Sequence, residues 1–136
     1  MKIQICTLSD AAKLAEMNKR LIEDEKSDNP MTVPELQARM EGFLNGEYTA
    51  YFFIEEKTAV GYALVNNSRN PLYLRQFYIE REYRRRHYGK EAFRLLLDQL
   101  KTDTIDVDVL PWNAPGLAFW RAMGFRETCI SMRRER

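Results

Sequence analysis

The sequence predicts one mixed α/β domain over residues 1–136, in which two helices precede an antiparallel meander that leads into a parallel crossover. Three observations support this prediction. The chain has 136 residues, which suits a single hydrophobic core. Four segments repeat apolar residues at helical spacing, and six shorter ones alternate or are rich in β-branched and aromatic residues. Their order is β-α-α-β-β-β-α-β-α-β, which favours a mixed sheet with one right-handed crossover.

The first part of the domain is predicted to be a short strand and two helices. Residues 2–7 alternate polar and apolar side chains, which is typical of a strand. Ser9 or Asp10 can cap the first helix, which carries one apolar stripe. Thr32 to Glu35 has the spacing of a capping box, so a second helix is expected from there to near Gly46.

The second part contains the meander and the crossover. Three β-rich runs predict the strands of the meander: Tyr48–Glu55, Ala59–Val65 and Tyr73–Ile79. An amphipathic helix over Glu91–Leu100 then leads to a strand at Ile105–Val109, which we expect to lie parallel to the strand before the helix. A last helix at Asn113–Met123 and a final strand at Arg126–Met132 complete the prediction.

Composition and charge argue against several function classes. The net charge of +1 supplies no overall field for nucleic acid or an anionic membrane, so neither is predicted as a partner. One histidine with Cys6 and Cys129 lacks the spacing of a zinc site, and no metal is predicted. Both cysteines are interpreted as unbonded thiols of a cytoplasmic protein. No segment is long and apolar enough to indicate a signal peptide or a membrane span.

The most informative stretch is a basic loop between the third meander strand and the amphipathic helix. Such a junction directs backbone N–H groups and the positive end of a helix dipole at one point, which suits a phosphate group. Its cationic side chains add mobile donors. A solvated turn or a nucleic-acid contact is an alternative for such a run taken alone, and the near-neutral charge disfavours nucleic acid. The loop residues are Arg84, Arg85, Arg86, His87, Tyr88, Gly89 and Lys90.

Two motifs resemble those of the GNAT-type N-acetyltransferases. Arg84-x-x-His87-x-Gly89 is similar to the family's loop Arg/Gln-x-x-Gly-x-Gly/Ala. The run from Asn113 to Phe125 is similar to the family's Asn-x-x-Ala-x-x-Phe/Leu-Tyr-x-x-x-Gly-Phe. The two motifs occur in the family's order and spacing, and the resemblance covers nearly the whole chain. It implies a GNAT-like fold whose central sheet splays between the strand before the loop and the next one.

The resemblance also implies a cofactor and a reaction. Acetyl-CoA would donate its acetyl group directly to an amine of a small molecule or a protein. Loop amides would hold the pyrophosphate, and the strand before the loop would pair with the pantetheine. A non-catalytic acyl-CoA-binding module with the same fold is the alternative. The implied cofactor-binding residues are Phe77, Tyr78, Ile79, Arg84, Arg85, Arg86, His87, Tyr88, Gly89, Lys90, Asn113, Phe119 and Trp120.

Three features depart from the family pattern. His87 stands where the family has its first loop glycine, and a side chain restricts that turn. Trp120 stands where a tyrosine usually protonates the leaving thiolate, and an indole N–H does not titrate. We therefore expect Trp120 to form a wall of the pantetheine channel. One strand instead of two follows the last helix, so the substrate side is open or is completed by a second subunit in a homodimer.

No residue type or spacing marks the catalytic base. The acidic run Glu23–Glu25 lies where the family's first helices border the acceptor groove, and it could attract a cationic amine. Asp106 and Asp108 share one strand face and need partners if that face is covered. The remaining carboxylate near the sheet is Glu80, and tyrosines offer further donors. The acid–base candidates are Glu23, Asp106, Asp108, Tyr62 and Tyr73. The identity of the amine stays open.

Overall fold

The computed structural model describes all residues from Met1 to Arg136. Five strands form one sheet in the order β1-β2-β3-β4-β5, and four α-helices connect or cover them. The predicted α/β class and the element order as far as the last helix are confirmed. The strands are β1 Lys2–Ile5, β2 Tyr48–Glu55, β3 Thr58–Asn66, β4 Leu72–Ile79 and β5 Ile105–Val107. The helices are α1 Ala11–Asp24, α2 Val33–Asn45, α3 Tyr88–Leu100 and α4 Ala114–Ala122.

The sheet is antiparallel from β1 to β4 and parallel only between β4 and β5. That parallel pairing covers Leu72–Leu74, whereas β4 itself continues to Ile79, so the predicted splay is present. Leu64 of β3 pairs with Gln76 while its neighbour Val65 pairs with Leu74. Arg75 is therefore an extra residue in β4. A bulge of this kind bends a strand, and it lies at the point where β4 leaves β5.

Both faces of the sheet are covered. Side chains of alternating residues of β2 point to opposite faces: Phe52 packs with α1 and α2, and Phe53 packs with α3. This two-sided burial explains why β2 and β3 have nearly continuous apolar sequences rather than alternating ones. No helix in the structure combines the length and the apolar character needed to cross a membrane.

Helix starts follow the predicted capping chemistry with one exception. Thr32 Oγ1 accepts from Glu35 N–H at 3.4 Å, and Thr32 N–H donates to Glu35 Oε1 at 2.9 Å, which confirms the capping box. Asn113 Oδ1 accepts from Gly116 N–H at 3.1 Å and caps α4. Asp10 precedes α1 but accepts instead from the N–H of Thr7, at 2.8 Å.

The predicted final strand at Arg126–Met132 is wrong. Residues after Gly124 form no regular element, and Ile130 and Met132 are 75% and 92% exposed. A strand is stable only where a sheet edge can pair with it, and the edge strand next to this segment in the chain, β5, has three residues. The prediction for β5 also extended too far, because it ends at Val107 rather than Val109. Both cysteines are free thiols, as predicted.

Candidate active site

The divergence of β4 from β5 opens a narrow cleft, which we call the splay cleft. The end of α1 borders it on one side, and α4 closes it on the other. Its floor is the part of β4 that includes the bulge. The lining residues are Leu21, Glu25, Leu74, Arg75, Gln76, Phe77, Val107, Asp108 and Trp120.

The backbone of β4 is free along the splay cleft. Glu80 N–H donates to the carbonyl oxygen of Val60 in β3 at 2.8 Å. Because backbone groups of successive strand residues point to opposite sides, those of Phe77 and Ile79 face the splay cleft. Phe77 therefore presents its N–H and C=O groups to an extended ligand, and Ile79 presents its N–H, because its C=O accepts from Arg84 Nε. Tyr78 differs from the expectation, because its backbone faces β3 and its side chain is buried against α1 and α2.

The loop between β4 and α3 presents a row of free donors. The backbone N–H groups of residues 85–90 donate to no atom of the chain. Arg85 and His87 have left-handed backbone conformations, with φ of 64° and 63°. The last N–H groups in this row belong to the first turn of α3, where a helix has no internal acceptors. Such a row suits the several oxygens of a diphosphate.

Cationic side chains surround these donors. Arg85, Arg86 and Lys90 are exposed, and none of them forms a salt bridge within the chain. An open depression of about 360 Å³ lies beside them at the start of α3. Three of its four lining residues are basic. They are His87, Lys90 and Arg94, and the fourth is Glu91.

Arg84 has a different environment from the other loop arginines. Its Nε donates to the carbonyl oxygen of Ile79 at 2.8 Å, and its Nη2 donates to Asp24 Oδ2 at 2.5 Å. Arg81 also donates to Asp24. Burial alone would raise the pKa of Asp24, but the hydrogen bonds and positive charges of the two arginines lower it below its ordinary value. The side chain of Arg84 thus ties the loop to α1, and its charge is already matched.

His87 and Gly89, the two motif positions that the family fills with small residues, have different structural roles here. His87, not a glycine, adopts the left-handed conformation before α3. Gly89 lies within the helix, where an added Cβ would come 3.1 Å from Cε1 of Phe119. Glycine at that position therefore serves the close approach of α3 to α4.

Trp120 stands in an aromatic cluster at the wall of the splay cleft. Its ring centroid is 5.3 Å from that of Phe77, 5.3 Å from that of Phe93 and 5.0 Å from that of Phe125. Phe119 also contacts it, with a centroid distance of 4.8 Å. Trp120 is part of the cleft lining, as a wall residue would be. Asn113, by contrast, uses its side-chain oxygen to cap α4.

The structure brings only some acid–base candidates to the cleft. Asp108 lines it and accepts a hydrogen bond of 2.8 Å from the hydroxyl of Tyr73. Burial, together with that bond and the charge of Asp108, raises the pKa of Tyr73 to about 12. Tyr62 is fully buried, and its hydroxyl donates to Gln76 Oε1 at 2.7 Å. Glu23 is exposed outside the cleft, and Asp106 is half-buried and does not line it. Asp106 and Asp108 therefore do not share a covered strand face.

Glu80 and Tyr78 form a separate network that leaves neither group free. Tyr78 Oη donates to Glu80 Oε1 at 2.5 Å, and Arg20 binds both carboxylate oxygens at 3.0 and 2.8 Å. Burial first, and then the bond to Glu80, raises the pKa of Tyr78 to about 12. This network attaches the end of β4 to α1.

Glu25 is the second carboxylate that lines the cleft, beside Asp108. It follows the last turn of α1, and no side chain donates a hydrogen bond to its carboxylate. Trp112 Nε1 donates to its backbone oxygen at 3.2 Å, which holds this end of α1 near the segment before α4. Burial, and then the charge of Asp24, raises the pKa of Glu25. The acidic run pointed to this region, but the sequence did not separate Glu25 from its neighbours.

Comparisons with known proteins agree with this geometry. The model of the Acetyltransferase (GNAT) family matches residues 14–125. The fold is similar to a possible acetyltransferase from Clostridium difficile 630, with a TM-score of 0.78 and 16% identity over 99% of this chain and 96% of that one. It is also similar to an aminoglycoside N-acetyltransferase in complex with CoA, with a TM-score of 0.74 and 16% identity over 99% of this chain and 93% of that one.

A third similar structure is a ribosomal-protein-alanine N-acetyltransferase from Brucella melitensis biovar Abortus 2308. Its TM-score is 0.72, with 12% identity over 98% of each chain. No curated protein matches the sequence significantly. At these identities the solved structures establish the fold, and the family model supplies the family. The chain belongs to the GNAT acetyltransferase family.

Proposed function

We propose that this protein is an acetyl-CoA-dependent N-acetyltransferase that transfers the acetyl group to an amine by direct attack. One observation carries the proposal: the unpaired edge of β4 runs along the splay cleft into a loop with free N–H groups and unpaired cations. A ligand with amides along its length and a diphosphate at one end fits this arrangement. In CoA, the pantetheine would pair with Phe77 and Ile79, and the diphosphate would meet residues 85–90.

Glu25 is the base in this proposal. An ammonium group entering the splay cleft beside α1 meets its carboxylate, which takes one proton and leaves a neutral amine. The nitrogen then attacks the thioester carbonyl carbon. The new C–N bond forms, the C–S bond breaks, and CoA leaves as a thiolate. The nitrogen loses its second proton to give the neutral amide, and the thiolate takes up a proton to become the free thiol. The raised pKa of Glu25 suits a group that must accept a proton near neutral pH.

Trp120 supports the reaction through shape. Its ring, packed on Phe77 and Phe93, forms one wall of the splay cleft and limits the access of water to the reacting carbonyl. A cytoplasmic location, and a homodimer that covers the open side beyond β5, belong to the same proposal. The acceptors named for the similar structures, aminoglycosides and a ribosomal-protein alanine, are amines, and an amine acceptor is proposed here as well.

The test is a panel of amines with acetyl-CoA, read out as release of free thiol, followed by the Glu25→Gln variant. We expect turnover to fall about 100-fold or more while the affinity for CoA is kept, because general bases contribute at least that much. In the native enzyme kcat/KM should fall as the pH falls through the raised pKa of Glu25. That limb should be missing in the variant.

Glu23→Gln is the matched control, since Glu23 is an exposed carboxylate close in sequence and outside the cleft. It should leave the rate unchanged. Equal losses in both variants would contradict the role of Glu25. CoA binding without thiol release on any amine would instead favour the acyl-CoA-binding module.

A further inference from the structure

Two arginines on the α2 side of β4 lack any acidic partner. Arg39 belongs to α2 and Arg75 is the bulged residue of β4, and their guanidinium carbons lie 5.4 and 4.8 Å from the centroid of the same Phe43 ring. Arg75 is also 5.9 Å from the ring of Tyr48. Neither arginine forms a salt bridge. Two positive charges thus lie against one aromatic ring, and no salt bridge of the chain offsets either of them.

Arg39 is also incompletely bonded. Its Nη2 donates to Asn18 Oδ1 at 3.2 Å, but its Nε is buried without any acceptor. Burial, and then the charge of Arg75, lowers the pKa of Arg39. A buried donor of a charged group that lacks an acceptor is costly, and an anion supplied by a ligand would satisfy it.

The arginine pair adjoins the proposed acceptor site. Arg75 and Gln76 line the splay cleft together with Glu25. Gln76 Nε2 donates to Asn18 Oδ1 at 3.4 Å, and the same oxygen accepts from Arg39. A chain of buried polar groups therefore joins the cleft to Arg39. Burial raises the pKa of the Tyr62 hydroxyl most, the charge of Glu25 raises it further, and the charge of Arg39 lowers it.

Resting on the proposed acetyl transfer, we propose that Arg39 and Arg75 bind an oxyanion carried by the acceptor. The acceptor is then an amine that bears a carboxylate or a phosphate close to its nitrogen. Its ammonium group faces Glu25, and its anionic group faces the two guanidinium groups. Guanidinium is suited to this role because its planar donors match the geometry of both oxyanions. A simple diamine or polyamine lacks the group that this pair recognises.

The test compares amines that differ only in the anion. The pairs are L-lysine with cadaverine, L-phenylalanine with phenethylamine, and O-phosphoethanolamine with ethanolamine, each with acetyl-CoA. In at least one pair, kcat/KM for the anionic member should exceed that for its partner by about tenfold or more. The gain or loss of a charge-assisted hydrogen bond changes the binding free energy by an amount that corresponds to about that ratio. The first two pairs report a carboxylate and the third reports a phosphate.

Arg75→Gln should reduce that preference to near one, because kcat/KM should fall further for the anionic member of each pair than for the partner that lacks the anion. Arg75 is exposed, so this variant keeps the fold, and Arg39→Gln is read alongside it with its melting temperature measured. Arg133→Gln, in the exposed C-terminal segment, is the control and should keep the preference. The inference is overturned if the anionic amines are not preferred, or if the preference persists in both Arg75→Gln and Arg39→Gln. In either case turnover itself still supports the proposed function.

If no amine is acetylated, the proposed function fails, and binding then decides the oxyanion site separately. The measurement is the rise in melting temperature on adding L-lysine, L-phenylalanine or O-phosphoethanolamine, compared with the partner of each that lacks the anionic group. A rise in the native protein that is lost in Arg75→Gln and kept in Arg133→Gln supports the site. No rise, or one that is equal in all three proteins, overturns it.

Discussion

At the loop end of the splay cleft the cationic side chains are exposed and unpaired, whereas at the α1 end the polar side chains are mostly buried and bonded to one another. The side chains of Arg85, Arg86 and Lys90 form no salt bridge within the chain. At the α1 end, Asn18 and Gln76 are 2% and 7% exposed and belong to one hydrogen-bonded chain.

The difference indicates how the two ends recognise ligands. Free backbone donors with mobile charges suit a diphosphate that is the same in every reaction cycle, because its oxygens tolerate many directions of approach. A buried polar network fixes the position and orientation of its donors, so it discriminates among acceptors. Affinity for the donor substrate is therefore expected to depend on salt, and selectivity for the acceptor is expected to depend on individual residues.

The largest effect is expected from removing the free charges at the loop end. The double variant Arg85→Ala and Arg86→Ala should weaken CoA binding by about tenfold to 100-fold, since each charged hydrogen bond contributes on the order of 1.5–3 kcal/mol before screening. Titration calorimetry at two salt concentrations checks it, and the variant should show the weaker salt dependence.

Arg133→Ala with Arg134→Ala removes the same charge from the C-terminal segment and serves as the control. If that pair weakens CoA binding as much as the loop pair does, the loop has no local role. Only the overall charge would then matter.

A smaller effect, on stability, is expected from removing the ion pairs that attach α1 to the segment after β4. Asp24→Asn removes the ion pairs by which α1 holds Arg81 and Arg84, and it should lower the free energy of unfolding by about 1 kcal/mol, because solvent screens the two partly exposed arginines. The pKa of Asp24 is lowered in the folded state, so this stability is present above its unfolded pKa and is lost as the pH falls through its folded pKa.

Chemical denaturation across that pH range measures the effect. The native protein and Asp24→Asn should converge at low pH, where the carboxyl is protonated in both states. Asp28→Asn, an exposed neighbour beyond the helix, should follow the native curve. A constant difference between the native protein and Asp24→Asn at all pH values would contradict the ion-pair explanation.

The parts of the molecule that could be predicted from sequence are those that local order determines. The capping box at Thr32, the strand–loop–helix junction at Arg84–Lys90 and the faces of the helices all depend on neighbours in the chain. The position of Glu25 in the cleft could not be predicted, because the cleft itself depends on the bulge at Arg75 and on where the β4–β5 pairing ends. The pairing of Arg84 with Asp24 joins residues that are 60 positions apart, and no local pattern reports it.

The C-terminal segment and Gly89 make the same point about tertiary context. Residues 126–132, predicted to form a strand, pair with no strand of the sheet. Gly89 occupies a motif position, and the structure adds a second reason for glycine there, since a Cβ would approach Phe119 closely. In both cases a neighbour distant in sequence determines what the local sequence does.

The smallest effect is expected from His87, which holds the loop in its left-handed turn. A residue with a Cβ at φ of 63° is strained by about 1–2 kcal/mol, and glycine relieves the strain but adds conformational entropy to the unfolded chain. His87→Gly should therefore raise the free energy of unfolding by less than about 1 kcal/mol. CoA affinity should change less than about twofold, because the imidazole is exposed and the backbone path is kept. His87→Ala removes the imidazole but keeps the Cβ, so it should give no gain. Equal stabilisation by glycine and alanine in denaturation experiments would place the cost in the imidazole and not in the backbone.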